Sequence, residues 1–254
     1  MTAQPTSSSA PDWLTTRPIA HRGLHDIAVG IVENSPSAAD AAVEAGYAIE
    51  CDVQLTLDED AVVFHDFDLD RLTSETGTIA SRTSKDVQSI AYRTGSDTIM
   101  SLSTLLARLA GRMPLICEIK SRFDGDVRLA DRVMSLVRRY NGPVAIKSFD
   151  PAVIAHLRGQ SPAPLGIVAE ARYDDPEWSG LSDGLKLELE QMLHFGETRP
   201  DFLSYRVGDL PHAVPYLCRT ALGMPVMTWT VRRPDQHLLS RLWADQIVFE
   251  GFRP

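Results

Sequence analysis

Cysteine is scarce in this sequence, with Cys51, Cys117 and Cys218 the only three in 254 residues. They form no CxxC or other metal-binding spacing, and their odd number argues against a disulfide framework. A reducing, cytoplasmic compartment is the simpler expectation. Long apolar runs are also missing: no stretch approaches the ~20 residues that cross a bilayer, so stable membrane association is not expected. The opening MTAQPTSSSAPDWLTTR has neither a charged n-region nor an apolar core, which argues against a signal peptide. Residues 1–17 read as a disordered or loosely packed tail whose last residues rest on the domain that follows. Positive charge is in deficit, with 25 Lys and Arg against 34 Asp and Glu for a net charge of −9. Without a basic stripe to track a phosphate backbone, nucleic acid is not an expected partner. A small anionic ligand still fits where cations gather locally. No GxGxxG follows any apolar run, which counts against an open doubly wound sheet.

What is present is alternation. Strand-length apolar runs occur at PIAH (18–21), YAIECDVQL (47–55), PLICEIK (114–120), PVAIKSF (143–149), PLGIVAE (164–170), FLSYRV (202–207), PVMTWTV (225–231) and QIVFE (246–250). Helix-length segments lie between them. Ser35 can cap a helix, Pro36 suits its first position and Gly46 follows its last turn. Asp150 and Pro151 open another helix that Gly159 closes, and Leu129, Val133, Leu136 and Tyr140 form the apolar face of a third. Eight strands interleaved with helices predict an α/β fold, a (β/α)8 or TIM barrel, as a single domain over 18–254.

One run breaks the alternation. AVVFH (61–65) follows the second strand too closely for a helical crossover but at a suitable distance for a hairpin turning near Asp58 to Asp60. An antiparallel return brings His65 to about the level of Asp52. Residues 67–100 then read as a small, polar, turn-rich insertion over the same end of the barrel.

The second strand raises a chemical problem. Residues two apart share a strand face, so Glu50 and Asp52 point inward together while Cys51 faces the helices. Two inward carboxylates repel and lose hydration, which calls for a cation or a shifted pKa. CEIK repeats the device, with Glu118 and Lys120 on one face. An isolated ExD is more often a solvated strand end or a salt bridge to a residue such as Lys120. Three acids on successive strands near the end where barrel sites are built point instead to a hard divalent ion, Mg²⁺ or Ca²⁺. AHRG, at the end of the first strand, adds His21 and Arg22, and Arg22 and Lys120 suit a phosphate. Two histidines beside a phosphate can share general acid–base work, one neutral and one charged.

These residues resemble the glycerophosphodiester phosphodiesterase family. The matching pieces are HRG (21–23), ENS (33–35), ExD (50–52), HDFDLDRLT (65–73), EIK (118–120), SFD (148–150) and WTV (229–231), in the family's order and across nearly all the chain after the tail. The resemblance implies His21 and His65 as catalytic residues, Glu50, Asp52 and Glu118 as metal ligands, and Arg22 and Lys120 as phosphate-binding cations. It places Glu33 and Asn34 in the first loop or the metal's outer surroundings, with a simple helix-entry turn as the alternative, and Trp229 at a substrate wall or in the core. The implied reaction hydrolyses a glycerophosphodiester to sn-glycerol 3-phosphate and an alcohol, through attack by a neighbouring substrate hydroxyl and a cyclic phosphate. That activity would belong to lipid and glycerol metabolism. A lysophospholipid or sugar phosphodiester as substrate, or a barrel that binds phosphodiesters without turning them over, are the alternatives. Departures from the family pattern are Val32, where proline is usual, Arg232, where asparagine is common, and Tyr205 and Arg206, expected on the alcohol side of the pocket. Lys147 and Glu170 are further strand-end candidates, each more readily structural. The oligomeric state is not legible.

Overall fold

A computed structural model describes residues 10–254, so the first half of the anticipated tail lies outside the described residues. Nine strands are present: β1 (Ile19–Ala20), β2 (Ala48–Leu55), β3 (Ala61–Val63), β4 (Leu115–Ile119), β5 (Val144–Ser148), β6 (Leu165–Ala169), β7 (Phe202–Arg206), β8 (Val226–Val231) and β9 (Gln246–Phe249). All but β3 are parallel, each pairs with its neighbours, and β1 joins both β2 and β9. The sheet therefore closes into the eight-stranded parallel barrel that the alternation predicts, with helices outside.

Alternation along each strand sorts residues between two environments. Outward residues such as Cys51, Cys117, Ile146, Ile167 and Leu203 join the layer packed against the helices. Inward residues are graded by height. At the N-terminal end, Ile19, Ala48, Ile116, Ala145, Phe202, Met227 and Val248 fill the barrel with apolar side chains. Leu14, on the short helix Trp13–Thr16, is buried among them, so residues just before β1 plug the bottom. One inward step higher stand His21, Glu50, Glu118, Lys147 and Glu250, with the uncharged Ser204 and Trp229 on β7 and β8.

Capping agrees with the sequence. Ser35 accepts from the Ala38 N–H and Asp150 from the Ala152 N–H, each followed by proline at the helix start, and Gly46 closes its helix at φ 77°. Gly23 is required by space: a Cβ there would come within 2.8 Å of Ala38, so only glycine lets the loop after β1 rest on the helix Pro36–Ala45.

The hairpin forms with β3 antiparallel to β2, Val53 opposite Val63 and Leu55 opposite Ala61. Phe64 donates its N–H to the Asp52 carbonyl at 3.0 Å, so Phe64 stands level with Asp52 and His65 falls one residue further along. The following segment is more ordered than its polar composition suggests. Leu69, Ile79, Val87, Ile90, Tyr92 and Ile99 pack with Val62 and Phe64 of the hairpin into a separate small core.

Candidate active site

The acids of β2 and β4 meet inside the upper barrel. Glu50, Asp52 and Glu118 are buried, and each offers an oxygen within 4.8 Å of the others. Register accounts for this: Asp52 and Glu118 are direct partners across β2 and β4, and Glu50 lies one inward step below Asp52.

Three buried anions need compensation, and the chain supplies it from three elements. Lys120 Nζ lies 2.9 Å from Asp52 Oδ1 and 2.5 Å from Glu118 Oε1. Lys147 Nζ, from β5, lies 2.9 Å from Glu118 Oε2 and 3.0 Å from Glu50 Oε1. Arg22 donates its backbone N–H to Glu50 Oε2 at 3.0 Å, and its Nε stands 3.3 Å from Asp52 Oδ2. Asn34 clamps Asp52, its amide donating to Oδ2 at 2.9 Å while its carbonyl accepts the Asp52 N–H at 3.3 Å. Burial alone would push the Asp52 and Glu118 carboxyls up, but the cations prevail. Lys120, His65, Arg22 and His21 hold Asp52 well below the usual carboxylate range. Lys120 and Lys147 bring Glu118 down to about 2.

The histidines are held differently. His21 Nδ1 is 2.5 Å from Glu250 Oε2, just past the end of β9. An ionised carboxylate only accepts, so the proton sits on Nδ1 and Nε2 is the nitrogen left for substrate. Glu250 is ionised despite its burial, because His21, His25 and Arg232 hold its carboxyl far below the usual range. Arg232 Nε donates to its other oxygen at 2.6 Å. His65 repeats the arrangement, Nδ1 lying 2.7 Å from Asp66 Oδ1. Arg71, from the insertion, forks onto Asp66 at 2.6 and 3.1 Å and onto Glu33 at 3.0 and 2.7 Å. Glu33 in turn accepts from Arg22 Nη1 at 2.6 Å. Both His65 and His21 are near enough to favour the charge of Asp52.

On the opposite side, Trp229 is partly buried, donates to the Ser204 carbonyl at 3.0 Å and packs edge-on against Phe149 at 5.5 Å. Glu170 accepts from Trp178 Nε1 and pairs with Arg206 at 2.9 Å, and burial nonetheless raises its carboxyl to about 7. Tyr205 corrects an expectation. Alternation turns it outward into the helix layer, where its hydroxyl meets His212 Nδ1 at 2.9 Å, and only Arg206 of that pair faces inward. A cavity of about 260 Å³ beside the loop after β4 is lined by Phe123, Leu185, Glu188 and His194 and by none of the acid-cluster residues.

Three contributors, Asp66, Arg71 and Glu250, carry no individual signal in the sequence. Asp66 and Arg71 stand inside the quoted HDFDLDRLT, and Glu250 occupies an inward position two residues after Val248. Lys147 was noted as a strand-end cation without its partners. Glu250, Lys147 and the Arg71–Glu33 contact are recognisable only through partners from distant segments, whereas Asp66 touches the adjacent His65 and Arg71 five positions on.

Buried acids, carboxylate-held imidazoles and local cations at the C-terminal mouth of a parallel barrel mark the class of barrel enzymes, whose active sites are built at that end. Comparison makes the class specific. Residues 21–250 match the Glycerophosphoryl diester phosphodiesterase family, and the chain belongs to that family, among the phosphoric diester hydrolases. Protein YhdW of Bacillus subtilis (strain 168), provisionally named a glycerophosphodiester phosphodiesterase, is 28% identical over 167 residues. That alignment spans 61% of this chain and 66% of the relative. Among solved structures, an Oleispira antarctica phosphodiesterase in complex with the product sn-glycerol-3-phosphate superposes with a TM-score of 0.76 at 18% identity, covering 93% of each chain. A glycerophosphodiester phosphodiesterase from Thermotoga maritima gives 0.69 at 22% identity, over 91% of this chain and 92% of that one. These structural likenesses establish the shared fold.

Proposed function

We propose that this protein is a metal-dependent phosphodiesterase that hydrolyses a glycerophosphodiester to sn-glycerol 3-phosphate and an alcohol. The observation that carries the reading is the convergence of Glu50, Asp52 and Glu118 within 4.8 Å of one another, beside both His21 and His65. The donor set suits a hard divalent ion, Mg²⁺ or Ca²⁺: three carboxylates and no thiolate. Glu50 Oε1 is moreover a buried oxygen without an aligned hydrogen-bond donor. Glu50, Asp52 and Glu118 would hold the ion, which when bound supplies charge to the phosphoryl oxygens.

The chain's own residues do the rest. Arg22 and Lys120 place cationic donors against the phosphate. His21 and His65, each with Nδ1 tied to a carboxylate, present Nε2 for proton transfer: one takes the proton of the attacking hydroxyl and the other gives one to the leaving oxygen. The roles exchange when water opens a cyclic phosphate. Asn34 and Glu33 fix Asp52 and Arg22 in place, and Trp229 with Phe149 forms an apolar wall for the alcohol. Buried free thiols at Cys51, Cys117 and Cys218 support a reducing, cytoplasmic setting. Among the described residues no helix is long and apolar enough to cross a membrane.

Glycerophosphocholine, a lysophospholipid and a sugar phosphodiester, assayed side by side with Mg²⁺ or Ca²⁺ and then with chelator, test the proposal. Release of sn-glycerol 3-phosphate that stops on chelation is the expected result. Activity unaffected by chelator, or none on any of the three, rejects it.

A further inference from the structure

The acidic floor already contains a cation that is closed off from solvent. Lys147 is 2% exposed, its Cα is level with Glu118, and its ammonium lies 3.0 Å from Glu50 and 2.9 Å from Glu118. Lys120, two residues beyond Glu118 on β4, stands one step nearer the mouth and bridges Asp52 to Glu118. The two lysines therefore divide the three carboxylates between an upper and a lower contact. With Arg22 beside Asp52 and shared with Glu33, three cations already face the three anions of the floor before any ion enters.

Pairing of this kind bears on ion binding. A divalent ion needs oxygens whose charge is not already spent, yet Glu50 Oε1 and Glu118 Oε2 each face an ammonium about 3 Å away. Burial keeps that ammonium in place: the layer below it is the apolar fill of Ala145, Ile116 and Phe202, which offers no alternative partner.

We propose that Lys147 is a resident counter-cation of the acidic floor that weakens divalent-ion binding and keeps the ion-free barrel stable. The inference rests on the metal-dependent reading above and extends it to affinity. It makes the site one that takes its ion loosely and exchanges it readily, while the carboxylates remain paired in either state.

Two variants separate charge from packing. Lys147→Gln keeps donors near both carboxylates and removes only the charge, and Lys147→Met removes both. Chelator-stripped protein is titrated with MgCl₂ and with CaCl₂ by calorimetry, and thermal melting is followed with and without each ion. Lys147→Gln should bind at least one of the ions ~10-fold more tightly than the unaltered protein, the range by which groups around a metal's ligands tune affinity. Both variants should melt lower than the unaltered protein when ion-free and gain more from the ion. Equal or weaker binding by folded Lys147→Gln, while the unaltered protein binds normally, overturns the proposal and leaves the metal reading intact. Neither variant folding at saturating ion also overturns it, since Lys147 would then be needed for packing. Absence of binding by the unaltered protein and by both folded variants rejects the metal reading itself.

Discussion

The floor of the site and its rim solve the same problem in different ways. On the floor, each of three buried carboxylates touches at least two donors drawn from separate strands or loops, and almost nothing is solvated. At the rim, each imidazole depends on one carboxylate, and the outer partners Arg71 and Arg232 are half exposed. Cross-linked buried charge ties function to folding; groups held by a single partner leave the two separable. Removing a floor acid is therefore the most damaging change. Asp52→Ala takes one carboxylate partner from Lys120 and from Arg22 and the acceptor from the Asn34 amide, leaving the buried cations in excess. It should lower stability by about 3–5 kcal/mol and turnover by on the order of 10³-fold. Urea unfolding and steady-state assay of the same preparation check both, and retention of full stability would erase the proposed distinction.

A rim substitution should show the other half of the contrast. His65→Ala or His21→Ala should cut turnover by roughly 10²-fold or more while the melting temperature stays near that of the unaltered protein. Near-normal turnover in both variants would remove the histidines from proton transfer. A melting temperature that falls as far as in Asp52→Ala would merge rim and floor into one unit.

The same contrast explains what the sequence could reveal. The barrel was legible because strand-length apolar runs, Ser35–Pro36 and Asp150–Pro151 are local signals, and period-two alternation correctly turned Glu50, Asp52 and Glu118 inward. The small core of the insertion was not: Leu69, Ile79, Val87, Ile90, Tyr92 and Ile99 follow neither a period of two nor one of 3.6, and they cohere only against the back of the hairpin. Partners across the fold were hidden for a related reason. Glu250 lies 229 positions from His21, and Arg71 lies 38 from Glu33, so no spacing rule links them. Tyr205 departs from the alcohol side of the pocket expected for both residues because alternation sends Tyr205 and Arg206 to opposite faces.

Arg71 gives a smaller effect that sharpens the description of the rim. Its guanidinium binds Asp66 and Glu33 with two contacts each, so one residue of the insertion steadies both His65 and Arg22. A lysine keeps the charge but lacks the planar fork. Arg71→Lys should reduce turnover by roughly 10-fold, the lower range for losing a group that orients a functional histidine. The loss should fall on kcat more than on KM, with melting little changed. A purely structural role would lower the melting temperature and leave kcat intact.

The smallest expected effect distinguishes the floor from the acid on the far wall by the sign of its pH dependence. Glu118, held down to about 2 against an ordinary 4.5, contributes stability that is complete above pH 4.5 and is lost as pH falls towards 2, and Asp52 acts in the same direction. Glu170 is opposite. Burial outweighs Arg206 and the Trp178 N–H and raises its carboxyl from 4.5 to about 7, while Glu177 adds repulsion, so the folded state holds the proton more tightly than the unfolded chain. Its contribution therefore falls as pH rises from 4.5 to 7 and is constant beyond. Arg206 is partly exposed and also pairs with Asp175 at 3.0 Å, so its pull on Glu170 is screened and shared and does not offset the burial. Glu170→Gln should flatten the decline between pH 4.5 and 7 in urea-unfolding free energies and leave the acid-side loss below pH 4.5 unchanged. A variant profile that still declines across the neutral window would assign that limb to another group.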